Sequence, residues 1–72
     1  MSASVALKDV ERMLNQCAPG HTIRLANHSR VVKFEGKCYR SLPKFDDIEL
    51  GHIRKMVRHL GIEECAKAYG II

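Results

Sequence analysis

His28 stands between Asn27 and Ser29 in a part of the chain crowded with cations. From 21 to 45 the charged residues are Arg24, Arg30, Lys33, Lys37, Arg40 and Lys44 against Glu35 alone, six positive charges to one negative and a local balance of +5. The whole chain carries +4, so its other segments nearly cancel. A neutral imidazole accepts a hydroxyl proton near physiological pH, and fixed cations stabilise the negative charge that gathers on a phosphate under attack. Attack of a ribose 2′-hydroxyl on its adjacent phosphate needs those two things and no metal. His28 is the candidate base, and Arg24, Arg30, Lys33 and Arg40 are the candidate phosphate contacts. The cluster would also attract a polyanion without any catalysis, because each neutralised phosphate releases condensed counterions. Plainer alternatives stay open on the same residues. Asn-His-Ser is good turn chemistry in its own right, and lysines and arginines on a strand surface serve solubility.

The other reactive residue types carry less. His21 follows Pro19-Gly20 and reads as a loop residue, while His52 and His59 read as solvated helix positions. Arg54, Lys55 and Arg58 read as the exposed face of that helix. Tyr39 has two readings, a base-stacking ring beside Arg40 or packing at a sheet edge. Ser29 and Ser41 lack the base and orienting acid that a serine nucleophile needs, and no glycine-rich loop has nucleotide-binding spacing. Cys17, Cys38 and Cys65 are odd in number and contain no CxxC pair, so they read as reduced thiols; structural zinc sites want a closely spaced ligand pair, and neither a metal nor another cofactor is expected.

Short elements must position these residues. Leu7, Val10, Met13, Leu14 and Cys17 recur at steps of three and four, which predicts an amphipathic helix capped at Ser4 and stopped by Pro19-Gly20. The period then changes to two. Thr22–Leu25, Val31–Phe34 and Cys38–Leu42 predict three antiparallel strands, with turns at Asn27-His28-Ser29 and Glu35-Gly36-Lys37 and an end at Pro43. Ile23, Leu25, Val32 and Phe34 would face the helices, and Arg24 and Lys33 would face away. Asp46 and Asp47 offer a cap for a second helix with apolar positions Ile53, Met56, Val57 and Leu60; it starts either at Asp47 or after a loose turn over 48–51. Gly61 and Ile62 suit a Schellman ending, and 63–69 could add a short third helix.

The predicted order α-β-β-β-α is an α+β two-layer sandwich, with helices on one sheet face and the other free for a partner. At 72 residues and 46% hydrophobic content the chain holds one core and should fold as a single domain over 1–72. No run approaches the roughly 18 to 20 apolar residues of a membrane span, and 1–5 has no signal-peptide character, so a cytoplasmic location is expected.

The segment Ala26-Asn27-His28-Ser29-Arg30-Val31-Val32-Lys33-Phe34 resembles the hairpin of HicA-type toxins, in which a histidine sits just ahead of or within the second strand. Leu42-Pro43-Lys44-Phe45, the stretch Ile48-Glu49-Leu50-Gly51-His52-Ile53-Arg54-Lys55-Met56 and Leu60-Gly61-Ile62-Glu63-Glu64 are similar to the same family's strand end, second helix and closing turn. In that family a glycine usually precedes a Ser-His or His-His pair, whereas here Ala26-Asn27 precedes His28 and Ser29 follows it. The resemblance implies a fold like the double-stranded-RNA-binding domain, an RNA-cleaving toxin whose single essential histidine corresponds to His28, and a HicB-type antitoxin as partner. Two other classes fit the same residues: a non-catalytic nucleic-acid-binding module, and a protein-interaction domain that recruits a partner by strand addition.

Overall fold

The computed structural model describes residues 3–72. Its elements run β1 (Ser4–Ala6), α1 (Leu7–Cys17), β2 (Thr22–Leu25), β3 (Ser29–Phe34), β4 (Lys37–Pro43), β5 (Asp47–Glu49), α2 (Leu50–Leu60) and α3 (Glu63–Tyr69). The sheet β2-β3-β4 is antiparallel throughout, and the N-terminal and C-terminal helices complete the α-β-β-β-α layout.

One core joins the layers. Val10, Met13 and Leu14 of α1 meet Val32 and Leu42 of the sheet and Ile53, Met56, Val57 and Leu60 of α2, all withdrawn from solvent. The three-and-four spacing of the helical members and the alternation along the strands are what bring one face of each element inward. At the end of α2, Gly61 takes the left-handed conformation at φ 76°. The N–H of Ile62 donates to Val57 and that of Gly61 to Arg58, the expected Schellman pair, with Ile62 buried beneath.

The β3–β4 hairpin turns through Glu35 and Gly36 alone, because Phe34 pairs with Lys37. Both turn residues have positive φ, 49° for Glu35 and 79° for Gly36. Such a two-residue turn matches the strands' right-handed twist, and it suits Asn or Gly better than Glu at its first position.

Farther along the same hairpin the register slips by one residue. Val32 pairs with Tyr39 but Arg30 pairs with Leu42, so Val31 faces both Arg40 and Ser41. This bulge has a packing consequence. Tyr39 and Leu42 lie three apart and would point to opposite faces of a regular strand; the extra residue turns both toward the core. The Ser29 hydroxyl donates to the Arg40 carbonyl at 2.6 Å, tying the bulge to the start of β3.

Four expectations need correction. Ser4 does not cap α1: it lies in β1, which pairs with β5, and α1 starts after Ala6 with no side-chain cap. Asp46 and Asp47 do not cap α2, since Asp47 is in β5 and the helix starts at Leu50. The ribbon does the capping work through the backbone. The N–H of Leu7 donates to Asp46 at 2.6 Å and that of Leu50 to Ala3 at 3.0 Å, so each helix gives its first donor to the residue just ahead of the opposite strand. Leu25 has the helix-side parity of Ile23 but packs on no helix; it is 65% exposed, at the end of the sheet that the core does not reach.

The fourth correction concerns the thiols. Cys17 and Cys65 form a disulfide that ties the end of α1 to α3, and only Cys38 is free. It closes a loop of 48 residues, for which the loss of unfolded-chain entropy is worth about 4 kcal/mol.

Two stability measurements follow. Without reductant one thiol per chain should react with a thiol reagent under denaturing conditions and three after reduction, and reduction should lower the thermal midpoint by roughly 15 °C or more. Three reactive thiols before reduction would remove the disulfide from the account. Replacing Glu35 by Asn should raise the unfolding free energy by about 0.5–1 kcal/mol in urea titrations, by relieving the left-handed residue.

Candidate nucleic-acid interface

Two parities govern where the cations go. Ile23, Val32 and Tyr39 are cross-strand partners and pack against the core, so the positions that alternate with them face away from the helices. Those positions are Thr22 and Arg24 on β2, Val31 and Lys33 on β3, and Cys38 and Arg40 on β4. Each strand thus contributes one exposed cation to the free face.

These side chains share a surface. Arg24, Lys33 and Arg40 line one open depression of about 370 Å³ together with Val31, Cys38 and the turn residues Ala26, Asn27, His28 and Ser29. A second depression of about 510 Å³ shares Lys33, Cys38 and Arg40 and continues toward the Glu35-Gly36 turn. His28 is exposed at the tip of the β2–β3 hairpin, whose neck closes by the Ala26 N–H donating to the Ser29 carbonyl at 2.7 Å. The Ser29 hydroxyl anchors that neck to β4. The imidazole therefore stands at the rim of the depression that three cations line.

Arg30 is not among them. It lies on the helix-side parity of β3, and its Nη1 donates to the carbonyls of Pro43 and Phe45, both at 2.8 Å. The guanidinium holds the end of β4 and the turn after it in place, one of its nitrogens donating to both carbonyls. Lys37 is similarly occupied: its Nζ lies 3.4 Å from the Leu60 carbonyl, placing a positive charge at the C-terminus of α2 where the helix dipole favours it. Lys44 lies beyond β4 and lines neither depression.

Tyr39, one of the two readings for which was base stacking, lies on the core side of β4. Its ring is tilted against His59 at a centroid distance of 5.9 Å, and burial raises its phenol above the usual value. His21 is held by its own turn, with Nδ1 2.9 Å from the Ala18 carbonyl. Arg58, on the exposed face of α2, pairs with Glu63 at 3.4 Å. Among the described residues no group of His, Cys, Asp and Glu is arranged to hold a metal ion. The depression beside His28 is lined by no carboxylate, so it offers a base and cations without a neighbouring acid. Cys38, which sequence reasoning left as an anonymous thiol, lies within this surface; only the register of β4 puts it there.

No family model matches this chain, and no curated protein or solved structure is detectably similar to it. No helix among the described residues is long and apolar enough to cross a membrane.

The division of labour among the cations is testable with heparin as a polyanion. Arg30→Ala should lower stability by about 1–2 kcal/mol, having removed charge-assisted bonds to two carbonyls, and leave the salt at which the protein elutes from heparin nearly unchanged. Lys33→Ala should do the reverse. Equal loss of heparin retention in both variants would put Arg30 on the binding face after all.

Proposed function

We propose that the chain is an RNA-binding domain acting as a metal-independent ribonuclease of the HicA type, the toxin of a toxin–antitoxin pair. The observation that carries this reading is the placement of His28 at the rim of a depression lined by Arg24, Lys33 and Arg40. In the proposed reaction His28 takes the proton of a ribose 2′-hydroxyl. The hydroxyl oxygen attacks the adjacent phosphorus, the bond to the next nucleotide's 5′-oxygen breaks, and that oxygen takes up a proton from water. The products are a 2′,3′-cyclic phosphate and a 5′-hydroxyl. Arg24, Lys33 and Arg40 offset the charge that builds on the phosphate, while Arg30 acts on the scaffold instead of on the substrate.

The reading also assigns a cytoplasmic location, where messenger RNA is found and where thiol reductants oppose the Cys17–Cys65 bond. It assigns a HicB-type antitoxin as partner. Support for a protein partner lies in the sheet order β2-β3-β4, which leaves the outer edges of β2 and β4 without a strand neighbour among the described residues.

A second reading, binding without cleavage, draws on the absence of a carboxylate beside His28. The two separate on one experiment. Wild-type protein and His28→Ala are incubated with a synthetic RNA in the presence of a chelator, and the product ends are identified. The ribonuclease reading expects cyclic-phosphate ends from the wild type and a rate lower by about 100-fold or more for the variant. Equal cleavage by both proteins, or none by either, removes the catalytic claim.

A further inference from the structure

The chain has two phenylalanines and two tyrosines, Phe34, Tyr39, Phe45 and Tyr69, and none of them lines the depression beside His28 that Arg24, Lys33 and Arg40 share. Phe34 and Tyr39 are packed against the core from the helix side of the sheet. Phe45 follows β4, where its carbonyl receives Arg30, and Tyr69 ends α3. A sheet that recognises single-stranded bases commonly does so by stacking them on exposed rings, which supply much of the energy and hold the base edges near hydrogen-bonding groups. Here the corresponding positions are Thr22, Val31 and Cys38, small or aliphatic, between three long cationic side chains.

The spacing of those cations follows from the register. Arg24 and Arg40 lie on either side of Val31, two strand spacings or about 10 Å apart at the backbone. Lys33 lies two residues farther along β3, about 7 Å from Val31. This triangle of flexible positive charges around an aliphatic floor can meet two or three phosphates of one strand, and between the cations the strands offer no Phe, Tyr or Trp ring on which a base could stack.

We infer that the free sheet face binds the sugar–phosphate backbone of RNA and does not read base identity. The inference rests on the RNA-binding reading and narrows it: whatever sequence preference the protein has must come from elsewhere, such as a partner or the folded shape of the RNA. With three phosphate contacts the dependence of log affinity on log salt should have a slope of about −2 for single strands, which is about a 20-fold loss between roughly 50 and 200 mM.

The test uses full-length His28→Ala, so that cleavage does not consume the ligand, and fluorescent oligouridine and oligocytidine of about twelve nucleotides. Affinities for the two should agree within about threefold and share that salt slope. Arg24→Ala, Lys33→Ala and Arg40→Ala should each shrink the slope by about 0.7. Cys38, the one free thiol and a lining residue of both depressions, reports the location: saturating RNA should slow its alkylation by N-ethylmaleimide at least fivefold. Tight binding with more than about tenfold preference for one base and a slope near zero would overturn the inference while leaving RNA binding intact. Binding that leaves Cys38 alkylation unslowed would overturn it too, since the RNA would then sit on another surface. No binding of either oligonucleotide, at low salt and with a folded protein, would instead overturn the RNA-binding reading itself.

Discussion

The register of β3 between its two neighbours is the constraint on which the rest of this structure depends. Val32 is completely buried between Ile23 and Tyr39, and that single choice of parity sends Arg24, Lys33 and Arg40 to the opposite face. A slip of one residue would press cations into the core and expose Val32, at a cost no small domain could carry. The cationic surface is therefore specified by the hydrophobic one. The same packing that stabilises the fold also gathers the charges.

The bulge opposite Val31 refines that arrangement. Tyr39 and Leu42 are both needed on the core side, and an odd spacing between them can be accommodated only by inserting a residue. Arg40 and Ser41 share the position facing Val31 as a result, and the carbonyl of Arg40 meets the Ser29 hydroxyl. The turn that carries His28 is thereby linked to the strand that carries Arg40. Core packing, bulge and hairpin tip form one mechanical unit.

Around this unit the chain ends are tied in by two different devices. The β1–β5 ribbon gives each helix a backbone acceptor for its first N–H and contributes the fully buried Ile48. The Cys17–Cys65 bond holds α3, which buries only Ala66 completely, against the end of α1. A domain of this size has little apolar surface to spare, and a covalent tie across 48 residues compensates by limiting the unfolded chain.

Much of this was legible in the chain itself. The three-and-four spacing of Val10, Met13 and Leu14 and of Ile53, Met56, Val57 and Leu60, the alternation that turns Ile23, Val32 and Phe34 inward and the Gly61-Ile62 ending all depend on local periodicity, and all appear where that periodicity puts them. The outward parity of Arg24 and Lys33 follows from the same alternation. Tertiary structure alone decided the rest, because the deciding partner in each case is distant in sequence. Three-residue strands such as β1 and β5 have no pattern of their own until they meet. Arg30 reads like any other strand cation until the carbonyls of Pro43 and Phe45 lie within its reach. Cys17 and Cys65 show no paired spacing, and only the packing of α3 beside α1 brings their Cα atoms to 5.6 Å. Periodicity reports which way a residue faces along its own element; which neighbour it meets there is settled only when the elements pack.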